Sequence, residues 1–177
     1  HLKKKYKIYG YDIKKFNTLK SSKNFFFTKN LKEIFLKTNI FIVIVLDEDQ
    51  CQTIFDSFID IKKRLKIKKN YTIINCTTVS PNWVKKTYKK LQKNNFEYID
   101  CPVSGGPKKA INGKLSLMIS SKKNIYKKNL TLLRDIGSNI YNLGNKIGTG
   151  STVKIINNSL AGIQIISAAE AIILAKK

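Results

Sequence analysis

The sequence predicts an α/β fold built on a parallel, helix-covered sheet, and three observations carry that prediction. Short β-branched or aromatic runs alternate with longer helix-like stretches in a β-α-β-α rhythm between residues 6 and 100. One of those runs, "NIFIVIVL" (39–46), is continuously apolar, the mark of a strand buried on both faces. From Ser151 the pattern becomes helical and is still helical at Lys177, so a long helix follows the sheet-forming part.

The elements follow in chain order. "YKIYGYD" (6–12) reads as a strand ending in Asp12, and "TKNLKEIFLKT" (28–38) as an amphipathic helix with Thr28 as its N-cap. The apolar run 39–46 is the next strand, and Asp47 is placed to cap the helix after it. "YTIINC" (71–76) is a further strand. The helix that follows opens with Ser80 as N-cap and Pro81 at the first helical position, where proline's missing N–H costs nothing. "FEYID" (96–100) is a fourth strand. "KLSLMIS" and "NIYNLG" read as strands flanking a helix near 122–136.

Composition narrows the class. Apolar residues at 42% and aromatics at 10% belong to a folded protein rather than a disordered one. Lys and Arg number 34 against 11 Asp and Glu, a net charge of +23, which would suit a nucleic-acid partner. The lysines, however, run along the whole chain together with an equal excess of Ile and Asn, as an A/T-rich coding bias would produce. No specific nucleic-acid partner is therefore expected. Cys51, Cys76 and Cys101 lack metal-ligand spacing and read as free thiols of a reducing compartment, cytoplasmic or an organellar matrix. With His1 the single histidine, a His-based triad or metal site is not expected, and no stretch reads as a membrane span.

In a doubly wound sheet, ligands sit outside the carboxyl ends of the strands. Four such places stand out: Asp12, Leu46-Asp47, Cys76-Thr77-Thr78, and Cys101 to Gly106. An acid at a strand end can accept hydrogen bonds from a ribose diol and repels a 2′-phosphate, which favours NAD over NADP; a simple turn residue would look the same. The acid belongs about 20 residues after a Gly-X-Gly-X-X-Gly loop, and residues 1–177 contain no such loop. Ser104-Gly105-Gly106 can bring backbone N–H groups close to an anion such as a carboxylate, or can serve only as a tight turn. Lys154 and Asn158 lie four apart on one helix and share a face.

"DCPVSGG" followed by "GKLSLMIS", with "INCTTVSP" upstream and "GTGSTVKIINN" downstream, resembles in order and spacing the β-hydroxyacid dehydrogenase family, which includes 3-hydroxyisobutyrate and L-threonate dehydrogenases. Residues 150–177 resemble the L-threonate branch most. The resemblance implies a Rossmann-type dinucleotide-binding domain at 1–147, lacking its first strand and glycine-rich loop, and the first long helix of an all-α second domain at 148–177. It also implies NAD-dependent oxidation of a small hydroxy acid in a homodimer or homotetramer. Lys154 would be the catalytic acid/base, Ser104, Gly105, Gly106 and Asn158 would hold substrate, and Asp12, Leu46, Asp47 and Thr78 would hold cofactor.

With the central first strand absent, the strands at 6–12 and 39–46 would lose a shared neighbour. The chain by itself is therefore expected neither to bind NAD well nor to turn over. The competing readings are an inactive or interacting remnant of such an enzyme and, third, a basic nucleic-acid-binding protein.

Overall fold

The structure, a computed structural model, describes residues 1–13 and 22–176. After a short helical turn at Leu2–Lys4, strand β1 (Ile8–Tyr11) pairs in parallel with β2 (Phe25–Thr28). Helix α1 (Leu31–Lys37) then leads to β3 (Ile40–Val43), α2 (Glu48–Arg64), β4 (Tyr71–Asn75), α3 (Pro81–Lys93) and β5 (Phe96–Asp100). The order β3-β4-β5 is parallel throughout, so Val43, Asn75 and Asp100 stand side by side at one edge. A two-residue strand β6 (Val103–Ser104) and a short helix α4 (Gly106–Ile111) precede β7 (Ser116–Ile119), α5 (Lys123–Ile136), β8 (Asn139–Asn142) and α6 (Thr149–Ala175). β6 and β7 are antiparallel, β7 and β8 parallel, and an Asp100–Ser120 bridge joins this group to β5. This is an α/β architecture of mainly parallel strands and intervening helices, with a long C-terminal helix.

Two cores cover the sheet, one on each face. Strands β4 and β5 alternate between them: Ile73 and Tyr98 point into the first, Ile74 and Ile99 into the second, as the two-residue period of a strand requires. The first core is aromatic. Phe35 of α1 is fully buried, with ring centroids of Tyr71, Phe41 and Phe58 at 4.4, 5.5 and 5.6 Å. Phe35→Ala is expected to lower stability by about 3–5 kcal/mol, the range for emptying a buried aromatic site, read as a shift in the denaturant midpoint.

The capping predictions hold at α2 and α3. Asp47 Oδ1 accepts from Gln50 N (2.9 Å), and Ser80 Oγ accepts from Trp83 N (3.3 Å) with Pro81 opening α3. At α1 the cap differs. Asn30 Oδ1 takes Lys32 N (3.0 Å), while Thr28 closes strand β2, its hydroxyl accepting from Asn30 N (3.1 Å) and donating to Glu33 Oε2 (2.8 Å). Thr28 thus braces the real cap from one turn back.

Three further differences have structural causes. The strand Phe25–Thr28 carries no alternation and escapes sequence reading. The run 39–46 is a strand only at Ile40–Val43, and it is buried on one face alone: Ile40 and Ile42 remain 38% and 37% exposed because β3 ends its sheet and does not pair with β1. Finally, α6 at 27 residues is long and apolar enough, by length and composition, to cross a membrane, against the expectation that no stretch would qualify. Its only charges before Lys176 are Lys154 and Glu170, and the polar residues spread between its isoleucines hide the run from a reading by contiguous apolar residues. Lys177, where the helical pattern ends, lies outside the described residues.

Candidate cofactor and substrate site

The carboxyl edge of the sheet is held by two buried polar residues that close apolar strands. Asn75 ends β4 and is fully buried: its amide Oδ1 accepts from Thr77 N (3.3 Å) and the Cys51 thiol (3.7 Å), and its Nδ2 donates to the Tyr98 hydroxyl (3.0 Å). Thr77 in turn accepts from Val45 N (3.0 Å), and Glu48 Oε1 accepts from Ser80 N (2.7 Å). The loops after β3 and β4 are therefore tied to each other as well as to the sheet.

Asp100, register partner of Asn75, ends β5 and is also fully buried. Its Oδ1 accepts from Ser151 Oγ (2.7 Å), and its Oδ2 accepts from Ser151 N (3.1 Å) and Ser120 Oγ (2.9 Å). Ser120 Oγ also accepts from Gly150 N (3.2 Å). A carboxylate at a helix N-terminus answers both the orphan N–H groups and the positive end of the macrodipole, so Asp100 seats the first turn of α6 on β5 and β7. Burial pushes its carboxyl above the usual range, and the Ser151 and Ser120 donors oppose that rise. The seat is tight: a Cβ on Gly150 would lie 2.4 Å from Met118 O and 3.0 Å from Asp100 Oδ2. Neither Asn75 nor Asp100 was singled out as a site residue by the sequence. The available signal was a polar residue closing an otherwise apolar strand.

Lys154 lies one turn beyond Ser151 on α6, and only 8% of its surface is exposed. No carboxylate among the described residues pairs with it. Burial alone pushes its ammonium below the ordinary lysine value, which is the setting a proton-transferring lysine needs. Asn158, one turn further along, is exposed.

The remaining predicted residues follow strands of three separate sheets, β1-β2, β3-β4-β5 and β6-β7-β8. Asp12 directly follows β1, exposed Leu46 and the capping Asp47 follow β3, and exposed Thr78 follows β4. Asp47's carboxylate is engaged at Gln50 N, and Leu46 N donates to Gln50 Oε1 (3.1 Å), so this turn is rigidly formed. Ser104 ends β6 half-buried. Gly105 and Gly106 have φ of +129° and +67°, a conformation that favours glycine and turns the chain into α4. Gly148, φ +95°, caps α6 against the start of α3: a Cβ there would lie 3.2 Å from Pro81 O. Through Gly148 and Asp100, the lysine-bearing helix touches the ends of both β4's and β5's connections. The contacts join the loops after β3 and β4 to each other and the lysine-bearing helix to β5 and α3.

Residues 1–144 match the family model described as the NAD binding domain of 6-phosphogluconate dehydrogenase. The chain belongs to that family of NAD-binding domains. It is 37% identical over 110 residues to 2-(hydroxymethyl)glutarate dehydrogenase of Eubacterium barkeri, covering 62% of this chain and 36% of the relative. It is 34% identical over 112 residues to L-threonate dehydrogenase of Haemophilus influenzae, covering 63% and 37%. Against mitochondrial 3-hydroxyisobutyrate dehydrogenase of Mus musculus it is 36% identical over 106 residues, covering 60% and 31%. Among solved structures, 3-hydroxyisobutyrate dehydrogenase from Salmonella typhimurium superposes with a TM-score of 0.73 at 28% identity, over 82% of this chain and 50% of that one. An imine reductase from Myxococcus stipitatus in complex with NADP+ shares the fold, with a TM-score of 0.75 at 15% identity over 84% and 50%. The chain spans about a third of the curated relatives' length and half of these solved chains.

Proposed function

We propose that this chain is the dinucleotide-binding part of an NAD-dependent dehydrogenase that oxidises a small hydroxy acid of the L-threonate or 3-hydroxyisobutyrate kind. The observation that carries the reading is the buried Lys154, which pairs with no carboxylate among the described residues and is held at the carboxyl end of β5 by a helix that Asp100 anchors. In this reading residues 1–147 form the cofactor domain and 148–177 begin a helical domain. The apolar residues exposed on α6, such as Ile163, Ile165 and Ile166, support the second part, since a helix apolar on all sides is normally covered. A homodimer or homotetramer would be built there.

The residues present suit a dinucleotide: a carboxylate at Asp12 matches a ribose diol, and the turns at Leu46-Asp47 and Thr78 follow the adjacent strands β3 and β4. Asp12 favours NAD. When bound, the nicotinamide supplies the hydride acceptor. Lys154, neutral, takes the hydroxyl proton of the substrate at Nζ and returns it in the reverse direction. Ser104 and the backbone at Gly105 and Gly106 hold the substrate carboxylate, and Asn158 orients the hydroxyl-bearing carbon. Burial of Lys154 keeps water from competing for that proton.

The test is a rate panel on the full-length protein. L-Threonate, 3-hydroxyisobutyrate and glycerate are offered with NAD and with NADP, and formation of the reduced nicotinamide is followed. One acid is expected to turn over, with NAD preferred; no turnover on any acid with either cofactor would count against the enzyme and favour the remnant.

A further inference from the structure

Two hydrogen bonds cross between the loops after β3 and β4, and they bracket three of the residues assigned above to the cofactor. Thr77 Oγ1 accepts from Val45 N (3.0 Å), and Glu48 Oε1 accepts from Ser80 N (2.7 Å). Leu46 and Asp47 lie between residues 45 and 48 of one loop, and Thr78 lies between residues 77 and 80 of the other. The loops are stitched together on both sides of that stretch.

The stitches keep the register of the sheet. In the ladder Val43 pairs with Asn75, an offset of 32 residues, and the same offset joins 45 to 77 and 48 to 80. Leu46 and Thr78 share it, so the two loops run in step past the ends of their strands. There the ladder's carbonyls are replaced as acceptors by two side-chain oxygens, which makes the continued register a property of these two residues. Thr77 is itself tightly held: it is buried, and its N–H donates to Asn75 Oδ1 (3.3 Å). Beneath it Cys51 is fully buried, and burial pushes that thiol up to about 11, against the opposing hydrogen bond of the Thr77 hydroxyl. The hydroxyl is thus committed on one side to Cys51 and on the other to Val45.

We infer that Thr77 and Glu48 are positioning residues for the cofactor, acting by fixing Leu46-Asp47 against Thr78. The inference rests on the dehydrogenase reading above, which assigns those three residues to the dinucleotide. Loops that are ordered before a ligand arrives lose less conformational freedom when it binds. The effect therefore falls on cofactor affinity and leaves the proton transfer, which belongs to Lys154 on α6, unchanged.

The test is made on the full-length protein. Thr77→Val keeps the shape of the side chain and removes the acceptor. It is expected to raise both the Kd and the KM for NAD about three- to tenfold, the worth of one hydrogen bond, to leave kcat at saturating NAD within about twofold, and to speed amide exchange at Val45. Thr77→Ser restores the hydroxyl and should recover all of these. Glu48→Leu should weaken NAD in the same way, with faster exchange at Ser80, and Glu48→Gln, whose amide oxygen still accepts, should recover it. A merely structural role would lower Tm and leave the NAD affinity of the folded protein alone. Unchanged NAD affinity in Thr77→Val, a loss that Thr77→Ser does not recover, or a fall in kcat that matches the rise in Kd would overturn the inference. Wild-type protein that binds no NAD would overturn the dehydrogenase reading, and the inference with it, before any variant is compared.

Discussion

Asp100→Ala is expected to lower stability by about 3 kcal/mol, because it strips the seat of α6 of its acceptor while leaving buried donors behind. Each buried donor left unpaired costs about 1–3 kcal/mol, and Ser151 N, Ser151 Oγ and Ser120 Oγ all lose Asp100. At this chain length that is a fall in Tm of roughly 6–12 °C. Asp100→Asn should fall between: its amide oxygen can still take Ser151 N, and its NH₂ can donate to a rotated Ser151 hydroxyl. Amide exchange at Gly150 and Ser151 separates this local loosening from a general loss of packing. The pH dependence has a definite sign. Burial raises the folded carboxyl above its unfolded value, so its contribution is fully present below about pH 3.9 and is lost as pH rises through the raised value. Asparagine lacks that slope. The deficit of Asp100→Asn relative to wild type should therefore be largest in acid and narrow toward neutrality.

The second large effect is on chemistry. In the full-length protein Lys154→Ala is expected to reduce turnover by roughly 10²–10⁴-fold, the usual contribution of a positioned acid/base. Desolvation lowers the lysine's pKa, so the neutral, proton-accepting form grows as pH rises through that lowered value. The rate of hydroxy-acid oxidation should climb over the same interval and then level. Lys154→Arg keeps a cation but deprotonates only above about pH 12, and its low rate should show no such climb.

Much of this was legible because it is local. Asp47, Ser80 and Pro81 announce their helices from the sequence, since a cap acts within one turn. The motif order from "INCTTVSP" to "GTGSTVKIINN" carries the family in the sequence itself, and the family match at residues 1–144 agrees with it. What was missed depends on distant neighbours. Phe25–Thr28 is a strand because β1 lies beside it, and its own pattern says nothing. Ile40 and Ile42 read as buried on both faces, yet their exposure is set by which strand stands next to β3. The burial of Lys154 follows from α6 docking across β5 and β7, through an aspartate 51 residues upstream of Ser151. No window along the sequence contains both.

The central claim is that Lys154 transfers the proton while other residues hold the cofactor, and one paired measurement tests it most directly. NAD affinity and turnover are measured together in the full-length protein and its Lys154→Ala variant, on whichever acid the panel identifies. The account predicts NAD affinity unchanged within about twofold and turnover lost by roughly 10²–10⁴-fold. Turnover retained in Lys154→Ala would contradict it, as would a loss of rate that only mirrored a loss of NAD binding.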